Sequence, residues 1–304
     1  MPSNPGSDAS GILLLDKPEG LSSNAALQRV KRLLGASKAG HVGSLDPLAT
    51  GMLPICLGEA TKVAGEMVGG RKRYAFDVAL GSRTDTGDRE GAVVETAPVP
   101  ELEPSAVEHA LERFRGRLAQ VPPMYSALKR GGQPLYRLAR AGIEVERAPR
   151  EIEIDSIGLI AMRGSIASFE ALTSKGTYIR VLAEDIARAL GTCGHVIRLR
   201  RLSVAPFERE PMQALEEVEA LCRTGGRPRL IPPDRALATL PPLDVPEAAA
   251  RRLLNGQPIA AAGLASGRVR LYDALGRFLG LGEADGRGTV RPKRMFLVGE
   301  GGSG

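Results

Sequence analysis

One twelve-residue stretch holds the side chains best placed for chemistry: Gly40-His41-Val42-Gly43-Ser44-Leu45-Asp46-Pro47-Leu48-Ala49-Thr50-Gly51. Its three glycines and one proline exclude a regular helix or an inner strand. They leave a loop of set path, in which Pro47 pushes Asp46 toward extended backbone. Asp46 is the only carboxylate of the stretch and lies among Leu45, Pro47 and Leu48. One positioned carboxylate can act as a nucleophile or stabilise positive charge at a reacting carbon; an Asp-Pro pair by itself is more often a turn. A second stretch offers different chemistry. From Lys129 to Arg150 there are six basic residues (Lys129, Arg130, Arg137, Arg140, Arg147, Arg150) against two acidic ones (Glu144, Glu146), with Tyr125 and Tyr136 interleaved. Cations beside stacking rings suit looped or single-stranded RNA. A solvated hairpin would carry the same residues.

Certain elements must hold these stretches. Gly11 to Asp16 reads as a short buried strand, and Lys17-Pro18-Glu19-Gly20 as a turn. A helix follows, with Ser22, Ser23 and Asn24 as N-cap candidates, Leu27, Val30 and Leu34 on its apolar face, and Gly35 at its end. Ala60 to Met67 reads as helical. In Arg71 to Leu80 the alternation of Tyr74, Phe76, Val78 and Leu80 predicts a strand with one buried face. Gly81 to Glu90 reads as a polar loop and Pro104 to Arg117 as a helix. Gln120 to Lys129 is extended, Gly131 to Pro134 a turn, and Leu135 to Ala141 a short helix. Glu151 to Met162 reads as a strand with a kink, and Ser168 to Thr173 as another. Ser174 to Arg180 leads into a helix closed by Gly191, and Val196 to Leu202 forms a strand. From Ile186 to Val204 there are arginines and no acidic residue, which predicts a second positive strip. Thr224 to Pro233 reads as a linker. The short strands beyond it suggest a small β-rich appendage.

Composition narrows the function classes. The chain has 304 residues, 43% of them hydrophobic and 25% charged, which is ordinary for a globular protein of one large domain plus an appendage. Aromatic residues make up only 4%, with no Trp, so the core must rest on aliphatic side chains. A net charge of +6 suits a polyanionic partner. Cys56, Cys193 and Cys222, like His41, His109 and His195, are scattered without zinc-ligand spacing, so neither a metal site nor a disulfide framework is expected. No apolar run could cross a bilayer, and residues 1–10 read as a disordered tail. A cytoplasmic location is expected.

The Asp46 loop closely resembles the catalytic loop of the pseudouridine synthases of the tRNA-specific TruB family. Further strings resemble that family in the same order. They are the Asp16-Lys17-Pro18 turn, the Gly81 to Asp88 loop, Gln120 to Lys129, Leu135-Tyr136 to Gly142, Ser174 to Arg180 and Leu199-Arg200-Arg201. Together they span roughly residues 12–207. Departures are few: Val42 and Ser44 stand where Thr is usual, Ala187 where Gly is common, and Ala205-Pro206-Phe207 in place of Gly-x-Phe.

The resemblance implies isomerisation of uridine-55 in the T-arm of tRNA to pseudouridine, without cofactor or metal, on a base flipped out of its loop. It implies an α+β fold: a catalytic domain over residues 11–230 with a mixed, mainly antiparallel sheet and flanking helices, then a PUA-like RNA-binding domain over 240–300. It makes Asp46 the nucleophile and Arg180 its partner within salt-bridge distance. Tyr74 would stack on the base, Tyr178 and Leu199 would hold it, and His41 would help displace it. Read without the resemblance, Tyr74 and Leu199 could be core residues, His41 a turn residue and Arg180 a surface arginine. The basic insertion, about residues 124–150, would clasp the RNA loop through backbone contacts from Lys129, Arg130, Arg137, Arg140 and Arg147. A monomer without obligate protein partner is expected. Two alternatives stay open: an RNA-folding factor with secondary isomerase activity, and a guide-RNA-dependent synthase that works with partner proteins.

Overall fold

A computed structural model of the chain describes residues 9–296. The expected tail is in large part outside the described residues, as are positions 297–300 of the expected C-terminal domain. The chain opens with β1 (Gly11–Lys17), α1 (Ser23–Leu33), β2 (Ala39–His41) and β3 (Thr50–Leu57), then α2 (Ala64–Met67) and β4 (Lys72–Leu80). The apolar run of β1 is buried on both faces: Leu13 and Leu15 point into one core, Ile12 and Leu14 into another. In β4 the alternation holds, with Lys72, Tyr74, Phe76, Val78 and Leu80 buried. A short hairpin of β5 (Ser82–Thr84) and β6 (Val93–Thr96) follows, so the expected polar loop begins as a strand.

α3 (Pro104–Leu111) stops a turn and a half earlier than the apolar spacing predicts; a 3-10 turn at Glu112–Phe114 follows, and β7 (Gly116–Gln120) takes the last two residues of the expected helix. Gly116 sits at a φ of 86°, which breaks the helix, and β10 supplies a pairing partner that no local pattern reveals. The insertion consists of β8 (Lys129–Arg130), β9 (Gln133–Pro134) and α4 (Leu135–Arg140). Then come β10 (Arg150–Arg163), whose register shifts twice along β11 (Ile166–Thr173) and so accounts for the expected kink, α5 (Ile179–Ala189) and β12 (Gly194–Val204). β13 (Gln213–Ala214) and α6 (Leu215–Arg223) complete this part.

The large sheet has the order β13-β1-β3-β12-β4-β11-β10-β7, with β2 on β3. Only β1–β13 and β3–β12 pair parallel, so the sheet is mixed and mainly antiparallel. α1, α3, α5 and α6 cover one face through Val30, Leu111, Ile186 and Val218. The segment read as a linker is pinned: Ile12 and Ile231 exchange backbone hydrogen bonds of 2.8 Å. A five-stranded sheet closes the chain, formed by β14 (Pro242–Asp244), β15 (Ile259–Ala260), β16 (Gly267–Tyr272), β17 (Phe278–Ala284) and β18 (Thr289–Met295), with α7 (Glu247–Leu254) beside them. Its Leu281 and Phe296 share a core with Ile12, Met67 and Phe207 of the large unit.

The expected second positive strip is not one. Arg201 is fully buried, Arg200 forms a two-pronged pair with Asp16 at 2.7 and 3.0 Å, and Arg188 is paired with Glu184 and Asp185. Side chains of a strand alternate between faces, and arginines that are neighbours in sequence need not share a surface. Among the described residues no helix is long and apolar enough to cross a membrane.

Candidate active site

The Asp46 loop bridges β2 and β3 and is held from three sides. The Ser23 hydroxyl, buried at the start of α1, donates to the Leu45 carbonyl at 3.0 Å and accepts from the Leu45 amide at 2.7 Å. The Lys17 ammonium, fully buried at the end of β1, donates to the carbonyls of Pro18, Leu21 and Pro47 at 2.8, 2.6 and 3.3 Å. The Gly20 amide donates to the same Pro47 carbonyl at 2.8 Å. Leu45 and Leu48 anchor the loop in the core. At Gly51, φ is 100° and a Cβ would fall 2.1 Å from the Arg201 carbonyl, so only glycine fits where β3 begins beside β12. Burial holds the Lys17 ammonium down to about 8, against the attraction of Asp46.

Asp46 thereby faces a cleft of about 420 Å³. Tyr74, Leu199, Lys72 and Arg201 from β4 and β12 line it, together with Leu128 and Gly176 to Arg180. Arg180 Nε stands 2.9 Å from Asp46 Oδ2. The Arg180 side chain is 5% exposed and that of Asp46 42%, so the cation is locked away and the carboxylate opens to the cleft. Arg180 Nη1 donates to the Thr86 carbonyl and Nη2 to the Tyr125 carbonyl, both at 2.7 Å. Behind it lies the buried Asp88, 3.7 Å from Nε, whose Oδ1 accepts from Thr86 Oγ1 at 2.7 Å. The apolar walls push the Asp46 carboxyl above its ordinary range, while the Arg180 guanidinium pulls it back. Burial likewise raises the Tyr178 phenol.

Tyr178 and Arg180 both reach the cleft: Tyr178 is the residue before α5, and Arg180 already lies in its first turn. Gln120 at the end of β7 holds the Tyr178 backbone, accepting from its amide at 2.8 Å and donating to its carbonyl at 3.2 Å. Tyr74 is both core and cleft wall, with its phenol against Arg201. Leu199 has the same double position. His41 is apart: it sits on β2, outside the cleft lining, with a buried Nδ1 that has no hydrogen-bond partner among the described residues. In the insertion, Lys129, Arg137 and Arg140 are exposed, Arg140 over the Tyr136 ring. Arg130 donates to the Glu146 carbonyl, and Arg147 to the Pro122 carbonyl at 3.3 Å and to Glu144 at 3.4 Å, so these two brace the insertion itself.

Sequence reasoning passed over Lys17, Ser23, Lys72, Asp88 and Arg201 as parts of the site. Only their presence in the family-like strings around residues 16–18, 81–88 and 199–201 could have marked three of them.

Beside a mixed sheet, the Asp46 loop thus presents one arginine-paired aspartate to a cleft of aromatic and aliphatic walls. The description "TruB family pseudouridylate synthase (N terminal domain)" matches residues 31–179, "tRNA pseudouridylate synthase B C-terminal domain" residues 180–238, and "Pseudouridine synthase II TruB, C-terminal" residues 241–296. The chain belongs to the TruB family. It is 50% identical to the tRNA pseudouridine synthase B of Aromatoleum aromaticum over 94% of this chain and 92% of that one. It is 48% identical to the protein of the same name from Pseudomonas fluorescens, over 95% and 96%. Its fold is similar to a chain in the crystal structure of a Cbf5-Nop10-Gar1 complex, with a TM-score of 0.69 and 25% identity over 90% of this chain and 78% of that one.

Proposed function

We propose that this chain is a tRNA pseudouridine synthase that isomerises uridine-55 of the T-arm, with Asp46 as nucleophile and no cofactor. The observation that carries this reading is the Asp46–Arg180 pair at the base of a cleft walled by Tyr74, Tyr178 and Leu199. The N1–C1′ bond of the uridine breaks and a C5–C1′ bond forms. The C5 hydrogen is lost and N1 ends protonated, so atoms and electrons balance without an external oxidant or reductant. Asp46 serves either by taking up C1′ as the uracil leaves or by adding to C6 of the base. Arg180 keeps the carboxylate ionised when the base displaces water from the cleft. Tyr74 supplies a ring face for stacking, and Tyr178 and Leu199 hold the base as it turns. His41, outside the lining, would act on the RNA as it opens rather than on the base in the cleft.

The target base must leave its loop to reach Asp46. The basic insertion at residues 124–150 and the β-rich domain after residue 240 are read as the RNA-holding parts. Carrying its own basic insertion, the chain is read as a stand-alone monomer. Incubating the purified protein with unmodified tRNA and mapping pseudouridine tests the reading. One new pseudouridine at position 55 is expected. No product in the presence of tight tRNA binding would favour an RNA-folding factor instead.

A further inference from the structure

Cations outnumber carboxylates around the cleft. Lys72, Arg180 and Arg201 line it against one lining carboxylate, Asp46, with Asp88 behind Arg180; Lys17 lies outside the lining, among Asp46, Glu19 and Glu90. Arg180 accounts for both carboxylates, and Lys17 is turned to the carbonyls beneath the loop. Lys72 and Arg201 are left over. Lys72 is 6% exposed and Arg201 1%, and among the described residues neither forms an ion pair. Lys72 Nζ donates to the carbonyls of Gly70 at 2.8 Å and Val68 at 3.3 Å. Arg201 donates through Nε to Met52 at 2.7 Å and through Nη2 to Gly43 at 2.9 Å, both carbonyls. The charged groups that act on Lys72 are themselves cations, Arg201 and the exposed Lys175.

Two buried cations side by side without an acid are costly unless an anion joins them. Both line the Asp46 cleft, and both converge under Gly43. A Cβ at Gly43 would lie 3.1 Å from Arg201 Nη1 and 3.3 Å from Lys72 Cε, so the glycine keeps the approach to the pair open. We propose that Lys72 and Arg201 form a phosphate subsite of the cleft, which takes one phosphodiester group of the RNA next to the nucleotide presented to Asp46. The proposal rests on the reading that the substrate is RNA. The Lys72 ammonium, the less buried of the two, is the half that touches the phosphate. Arg201 is fixed by its carbonyl partners and adds charge from behind. The subsite would set how far the target nucleotide enters the cleft.

The test is a scan with T-arm stem-loop RNAs in which single phosphates around the target uridine are replaced by neutral methylphosphonates. Affinity is read in the Asp46→Asn protein, so that turnover does not interfere, with and without Lys72→Met. At one phosphate position, neutralisation should weaken binding about tenfold or more in the parent. Lys72→Met should weaken binding of the all-phosphate RNA by a similar factor and add nothing at that position. Lys72→Gln is the companion variant should the methionine protein fail to fold. A parent scan without a sensitive position overturns the subsite, and so does an equal sensitivity in parent and Lys72 variants. Pseudouridine formation by the unsubstituted protein is read separately. Its absence would sink the isomerase reading, while the binding scan would still decide the subsite.

Discussion

Arg180 meets Asp46 at 2.9 Å with its other nitrogens already tied to the carbonyls of Thr86 and Tyr125. The guanidinium therefore cannot follow the carboxylate if the latter moves. One edge of Asp46 is paired, and the rest stays open to the cleft. The carbonyl of Tyr125 lies at the root of the basic insertion, so the same arginine ties the insertion to Asp46.

Replacement of Asp46 by Asn keeps the shape of the loop and removes the proposed nucleophile. Pseudouridine formation should fall to background while tRNA affinity stays within a few-fold. Turnover near the parent rate in the asparagine protein would remove Asp46 from the mechanism.

Arg180→Ala should leave the Asp46 carboxyl with only the upward push of its apolar surroundings. Its pKa should rise further, and the protonated acid is no nucleophile. Activity near neutral pH should drop steeply and recover in part as pH rises, with the acidic limb of the rate profile moved upward. Arg180→Lys, which keeps charge without the planar fork, should fall between. A rate loss independent of pH would count against this account.

Ser23→Ala removes both hydrogen bonds to Leu45 and leaves a buried amide and carbonyl unpaired. A stability loss of about 1–3 kcal/mol is expected from urea titration. The loop that carries Asp46 is the part released, so kcat should fall more than tRNA affinity. An unchanged kcat would show that Leu45 is positioned by its core packing alone.

Lys17 should appear in the pH dependence of stability. Its pKa is about 8 in the fold against 10.5 ordinarily, and Lys72 is displaced in the same sense to about 8. Between those values the unfolded chain binds more protons, so stability should rise with pH through that window. Lys17→Met should reduce the rise without abolishing it. Melting curves from pH 7.5 to 10.5 compare the two, and identical slopes would contradict the buried ammonium.

Neutralising Lys129, Arg137 and Arg140 should weaken tRNA binding and make it less sensitive to salt. The slope of log affinity against log salt should shrink by roughly 0.7–0.9 for each phosphate no longer neutralised. Arg130 and Arg147 differ, since Arg130 bonds to the Glu146 carbonyl within the insertion and Arg147 to the Pro122 carbonyl just before it. Their removal should loosen the insertion, visible as faster hydrogen exchange at residues 124–150. Unchanged salt slopes for the exposed triple would return the insertion to a solvated hairpin.

Much of this molecule can be read from local pattern. The middle of the Asp46 loop follows from its glycines and proline, although the ends of that stretch, Gly40-His41 and Thr50-Gly51, are strand residues of β2 and the inner β3; the buried face of β4 follows from its alternation, and α1 from Ser22 and its apolar spacing. These features rest on interactions among near neighbours in the chain. Only the tertiary structure shows β7, because its hydrogen bonds go to β10 far along the chain. The same holds for Arg200 and Arg201, adjacent in sequence but divided by the pleat into an ion pair with Asp16 and a buried cation under Gly43. It holds most of all for the site: Ser23, Lys17, Asp88 and Arg180 come from four separate segments, and each acts through a contact across the fold. Burial, which moves the pKa of Lys17 and Asp46, belongs to the assembled walls of the cleft and to no stretch of sequence taken alone.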